Sequence, residues 1–575
     1  MGVSAAVFES AGKRTEHYVP GTYSRQSNTT TPGGIPAGNL CILGESQGGK
    51  PKALLEFGTL AEAKLTFGSG SLLEGIGYAF NGSNDYVPQK VFAVRTNNGT
   101  QSSLTLKSGV TDLLQVKAWD WGSHTNQLKM WIKAGTIAGS KKITTVYKDD
   151  SFTTDDIIQP SLNIEYADEG TSPTVTIGKT SITLSHIPDG ETDPETFTFA
   201  FADYNTLATL AARINDTDVF AATVADTDTQ ALSANLDTVT GIDVTDSVLF
   251  YSNFVAFVNV LKANPYVGDV VILDADLRQM PDVTDGYVYF TGGTTSTAQV
   301  SDYMAALEML ETQDIQIIAT PSTDPAIHTL IKNHCVQMCS TVNRKERTAI
   351  LGGAIGESDD DAILKAVGFN SEVISYVTDS AKAANPLTGA VETIPGAMVA
   401  VMLAGMESGM AANMPLTNKT INVLGFTKNR NVTNMEKLIK KGVLVCNYDP
   451  EDITRFVCIR ALTTYQGDDL IANERSMTRE AFLMNRELRN AYKPMIGQPG
   501  TYSANDVAQT LIDMAKTWAA KGYIVPSDSN QNVWDIRVVI DGDKIYVTYS
   551  RYLTAPLNFV FITANNHVYT STLEV

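Results

Sequence analysis

The chain has 575 residues, 43% of them hydrophobic and 18% charged, with a mean hydropathy near zero and a formal net charge of −20. That length exceeds what one hydrophobic core serves, so about two to four domains are expected. An isoelectric point near 4.8 without a continuous basic stripe disfavours nucleic acid as a partner. No run of about eighteen apolar residues predicts membrane insertion, and five scattered cysteines with no basic-then-apolar leader point to a reducing cytoplasm.

Tyr18 to Gln26 is extended in character and runs into the polar stretch Ser27 to Gly34, which has too few apolar residues to fold onto a core. From Gly38 to Thr100 the pattern is α/β. Leu40 to Gly44 reads as a buried strand, helices are expected around Leu60 to Phe67 and Leu72 to Phe80, and Val91 to Arg95 reads as the next strand. Two motifs here imitate chemistry. Gly44-Glu45-Ser46-Gln47-Gly48 has the form of a nucleophile elbow, but Gly48-Gly49-Lys50-Pro51 stands where a helix should begin. The overlapping Gly44 to Lys50 run resembles a phosphate-binding loop, yet Pro51 replaces the magnesium-holding hydroxyl and lacks a backbone N–H. A glycine-rich turn explains both, and a hydrolase acting at Ser46 is the enzymatic alternative.

From Leu104 to Val248 the chain turns Thr-rich and β-branched, which predicts one or two small β-rich domains with one helix at Tyr204 to Asn215. Between Asp149 and Phe250 stand 19 Asp and Glu against Lys179 and Arg213 alone, a net −17. Such a block faces bulk solvent. The α/β alternation resumes near Phe250. Expected strands are Val270 to Leu273, Ile315 to Ala319 and Thr348 to Leu351, separated by helices from Val300 to Leu310 and Pro325 to Cys339. Strands alternating with amphipathic helices at this spacing argue for a largely parallel sheet covered on both faces. His334, Cys335 and Cys339 are the compact metal-ligand candidates, but one helix without a second ligand pair is better read as core.

Met398 to Met406, within the uncharged run Ile394 to Met406, is apolar nearly all round, as in a helix buried at a domain centre. Lys428 to Lys493 carries 12 Lys and Arg against 9 acids; Lys428, Arg430, Lys437, Lys440 and Lys441 form its densest cluster. Ser503 to Asp506 resembles a helix cap, the helix ends at Gly522, and Ile536 to Tyr549 forms a hairpin candidate around Asp541-Gly542. Last comes Leu557 to Thr563, strong strand material with no local partner. No catalytic constellation emerges.

Several stretches, in order, resemble one family. Tyr289-Phe290-Thr291-Gly292-Gly293 precedes the helix containing Tyr303 to Glu308, and Ala319-Thr320-Pro321 follows. Then come Arg347 to Ile350, Ile394 to Ala400, Asn434 to Val443 and Ile459 to Tyr465. Together with Val19 to Tyr23 and Asp543 to Ile562, they are similar to the contractile tail sheath proteins of bacteriophages.

The resemblance implies an α/β multidomain fold: a subtilisin-like, non-catalytic α/β core (38–103 and 249–425), a β-rich outward-facing insertion (104–248), a mixed α+β C-terminal domain facing an inner tube (426–552), and terminal arms (1–37 and 553–575). It further implies a structural polymer, not an enzyme, without cofactor or metal. The subunits would form stacked hexameric rings in a virion tail, with tail tube, baseplate and tail terminator proteins as partners. Val19, Thr22, Tyr23, Phe559, Val560, Phe561 and Ile562 would be the arm residues that pair with neighbouring subunits. Lys428, Arg430, Lys437, Lys440 and Lys441 would form a tube-facing basic patch. A tailocin or another contractile injection particle would use a near-identical sheath.

Overall fold

The computed structural model describes residues 38–568 apart from 499 and 501, together with the backbone of residues 6–10 and 13–17. The chain divides after Pro36. In the first unit, Ala6–Ser10 and Lys13–His17 form an antiparallel hairpin.

At the centre of the second unit lies a six-stranded sheet. Its order is Ile374–Val377, Thr348–Gly352, Ile317–Ala319, Leu40–Gly44, Val91–Arg95 and Leu54–Phe57. The first five are parallel and Leu54–Phe57 is antiparallel to its neighbour. Side-chain alternation explains why these runs are apolar throughout. Leu40 and Ile42 point to one face, under the helices Ser71–Phe80 and Gly396–Ser408. Cys41 and Leu43 point to the other, under Val300–Leu310 and Pro325–Met338. The methionine-rich helix Gly396–Ser408 is buried from Gly396 through Glu407. Gly405 is required there because a Cβ would strike the backbone carbonyl of Ala79 on the facing helix.

The β-rich insertion is longer than the sequence suggests. Val267–Ile272 does not join the parallel sheet; it pairs antiparallel with Thr111–Ala118. Its apolar run looks like a buried core strand, yet Ile272 and Leu273 are half-exposed and only one side of the strand is covered. The insertion therefore extends to Thr294–Thr295, which pairs with Gly99–Thr100 to close the excursion. It consists of two nested parts with separate cores. A base, from Ser103 to Ile157 and from Asn253 onward, buries Leu114, Ile132, Phe257 and Phe290. A tip, from Pro160 to Tyr251, wraps the helix Leu207–Asn215 with two small sheets around Leu184, Leu210 and Phe220.

Residues 426–460, expected in the C-terminal domain, pack instead on the α/β core: Leu444, Cys446 and Cys458 join its main cluster. A distinct C-terminal core begins on the helix Arg475–Tyr492. There Met484 meets Leu511, Ala515 and Trp518 of the helix Ala504–Ala520. Ser503 and Asp506 cap that second helix reciprocally. The hairpin Trp534–Asp541/Lys544–Ser550 turns at Gly542, whose φ of 61° favours glycine.

This C-terminal core is tied to the sheet by a buried ion pair. Arg475 donates to both carboxylate oxygens of Glu407, at 2.8 and 2.7 Å, and to the carbonyl of Ala349 at 3.1 Å. Burial alone would raise the Glu407 pKa, but Arg475 and Arg479 hold the carboxyl below its ordinary value.

Candidate assembly surfaces

After Tyr552–Leu553 pairs with Ile524–Val525, the backbone from residue 554 to 568 belongs to no strand. The expected arm residues among these are largely in solvent: Val560 is 71% exposed, Phe561 92% and Ile562 86%. Among the described residues nothing covers these apolar side chains. The root of the segment is held. Asn558 donates to Glu474 at 2.9 Å, the carboxylate that also accepts from Arg460 at 2.8 Å. The Arg460 guanidinium stands 5.4 Å from the Phe559 ring, and Phe559 joins Thr417, Ile439 and Ile459 in lining a cavity of about 290 Å³. The free run thus begins at Val560. Val19, Thr22 and Tyr23 lie outside the described residues.

The basic cluster is not a uniform surface patch. Arg430 is buried and held between Asp359, at 2.8 Å, and Asp379. Lys428 lies 3.3 Å from Asp359, and Lys437 lies 2.7 Å from Asp360. Asp359 and Asp360 belong to the first turn of the helix Asp359–Phe369, where acids also favour the helix dipole. The Asp359-Asp360-Asp361 run was the visible sign that the cluster is internally neutralised. Lys440 and Lys441 remain exposed; the nearest carboxylate to Lys440 is Glu436, at 3.9 Å.

The motifs that imitate chemistry are structural. Ser46 is buried; its hydroxyl donates to the carbonyl of Gly48 at 2.7 Å, and the chain leaves this loop for the strand Leu54–Phe57 rather than a helix. The Gly49 N–H that a phosphate would need donates to Asp120 at 2.7 Å. In the helix Pro325–Met338, His334 Nε2 accepts from Arg347 at 2.8 Å. Burial, reinforced by Arg347, pushes its pKa down to about 3. Burial likewise pushes the Cys335 thiol up to about 12. Among the described residues no group of three His, Cys, Asp or Glu side chains is arranged to hold a metal, and no helix is long and apolar enough to cross a membrane.

Comparison with known proteins agrees with this picture of a scaffold. Residues 296–459 match the model of the phage tail sheath protein central domain. The chain is 24% identical over 550 residues to a tail sheath protein of Bacillus phage SP01, covering 91% of this chain and 90% of the relative. It is 21% identical to the tail sheath protein of Staphylococcus phage Twort, covering 88% and 90%. The fold resembles the crystal structure of a sheath tail protein from Listeria innocua, with a TM-score of 0.54 at 13% identity over 90% of this chain and 95% of that one. The matched domain coincides with the return from the insertion into the parallel sheet, and the similarity to tail sheath proteins of phages extends over about nine-tenths of the chain.

Proposed function

We propose that this chain is the structural subunit of a contractile tail sheath, polymerising as stacked hexameric rings around an inner tube. The observation that carries this is the apolar run Val560 to Ile562, exposed and unpaired at the end of a chain similar to tail sheath proteins over about nine-tenths of its length. A strand with no partner in its own subunit is completed by another subunit through main-chain hydrogen bonds. The parallel sheet and its flanking helices would form the rigid body, a subtilisin-type scaffold used without catalysis. The insertion would face outward, and Lys440 and Lys441 would be the part of the basic cluster left for the tube.

Contraction in this reading needs no nucleotide hydrolysis. The extended sheath is a kinetically trapped state, and its free energy is released when subunits exchange weak tube contacts for larger contacts with one another. Strand-paired arms keep the rings connected while the bodies move. The tube is driven through a host cell envelope, with baseplate and terminator proteins at the two ends of a virion tail assembled in the host cytoplasm. The same subunit would serve a tailocin or another contractile injection particle. Negative-stain microscopy of the purified chain tests the proposal: hollow, striated tubes are expected, and a protein that stays monomeric at every concentration and salt would refute it.

A further inference from the structure

One face of the insertion base combines exposed aromatic rings with unneutralised lysines. Alternation along Lys129–Ala134 buries Met130 and Ile132 and turns Lys129, Trp131 and Lys133 outward. Tyr287 and Tyr289, 39% and 55% exposed, flank them. The Lys129 ammonium stands 5.0 Å from the Tyr287 ring centre and 5.7 Å from that of Tyr289; Lys133 stands 4.4 Å from the Trp131 ring. Trp131 and Tyr287 lie 5.2 Å apart. Cation–π contacts fix an ammonium in place without cancelling its charge. Among the described residues neither lysine has a carboxylate within 4.0 Å, although Lys142 on the next strand is paired with Asp155 at 2.5 Å.

A complementary surface is on the same molecule, and among the described residues no ion pair joins it to this face. The tip, residues 160–251, holds 15 Asp and Glu against Lys179 and Arg213. In its connection from Pro188 to Glu195, Asp189, Glu191 and Asp193 are exposed and pair with no Lys or Arg among the described residues. We infer that the Lys129/Trp131/Lys133 face, with Tyr287 and Tyr289, receives the acidic 189–193 loop of a second copy of this chain.

Charge complementarity selects that partner. Opposite charges steer the two copies together, and the aromatic rings supply apolar area beneath the ion pairs. Each exposed pair is weak on its own, so the contact gains weight by repetition between copies held side by side. This inference extends the polymer reading to the insertion and is tested without depending on it.

The test mixes isotopically labelled and unlabelled full-length chains at low salt, applies a carbodiimide that joins lysines to carboxylates, and identifies the joined peptides by mass spectrometry. Mixed-isotope links from Lys129 or Lys133 to Asp189, Glu191 or Asp193 are expected in the wild type, and chain-to-chain association read by sedimentation should weaken about tenfold in Lys129→Glu/Lys133→Glu, the weight of two or three exposed ion pairs. Adding Asp189→Lys/Glu191→Lys/Asp193→Lys to that variant should restore the association, read by sedimentation, whereas either set alone should leave it about tenfold weaker. Absence of the mixed-isotope links, links within single chains only, or retention of the wild type on a polyanion without chain-to-chain links would each overturn the inference. Striated tubes that form equally well in all variants would overturn it while leaving the sheath reading intact.

Discussion

Two segments of this chain are almost equally apolar and meet opposite fates. Gly396–Ser408 is buried on every side between the parallel sheet and the helix Ser71–Phe80. Leu557 to Ile562 has only a root, at Asn558 and Phe559, and is otherwise in water. In the first, burial stabilises the subunit by roughly 25 cal/mol per Å² of apolar area. In the second, the same area is withheld from folding and remains available for association. Hydrophobicity therefore does not mark the core of this protein; what separates the two segments is whether the chain supplies a partner of its own.

That contrast can be broken most sharply by deletion. Removing Leu557 to Val575 should leave a folded chain with unchanged circular dichroism and melting but abolish its polymers in electron micrographs. Normal tubes from the truncated chain would mean the segment is not a connector. The converse experiment attacks the body. Arg475→Ala should cost about 3–5 kcal/mol in urea unfolding because it leaves Glu407 buried with its main partner gone. Stability unchanged by this variant would show that the C-terminal core is not tied to the sheet through that pair.

A subtler test uses Glu480, buried on the same helix as Arg475, with neither carboxylate oxygen accepting a hydrogen bond. Burial raises its pKa to about 8, partly countered by Arg551. Because the folded pKa lies above the unfolded value, the unfolded chain releases this proton first as pH rises. Stability is therefore full below about pH 4.5 and falls as the pH climbs towards 8, by on the order of 3 kcal/mol at pH 7. Glu480→Gln should flatten that slope in urea titrations; a variant with the wild-type slope would show that Glu480 is ionised in the folded state.

The core was largely legible because its strands and helices carry local signals. Leu40 to Gly44, Val91 to Arg95 and the capped helix at Ser503 lie where periodicity and capping place them. The insertion boundary was not legible. Val270 to Leu273 has the composition of a buried parallel strand, and its pairing with Thr111–Ala118 is decided by chain path rather than by its own residues. The pairing inside the basic cluster was hidden for a related reason. Positive charge is visible one residue at a time, but Arg430 finds Asp359 and Asp379, which are 71 and 51 positions away, only through the fold. Ser46 imitated a nucleophile because a strand-to-loop motif says nothing about whether its hydroxyl is already donated to a neighbouring carbonyl.

The two-residue ladder that closes the insertion has a practical meaning for anyone building with this molecule. Departure at Gly99–Thr100 and return at Thr294–Thr295 are adjacent, hydrogen-bonded positions, braced by Asp120 against the loop at Gly49. A foreign domain whose ends lie about one strand spacing apart could be grafted there. The sheet and the C-terminal segment would remain as they are, and each subunit would carry one copy of the graft where the insertion now leaves and returns.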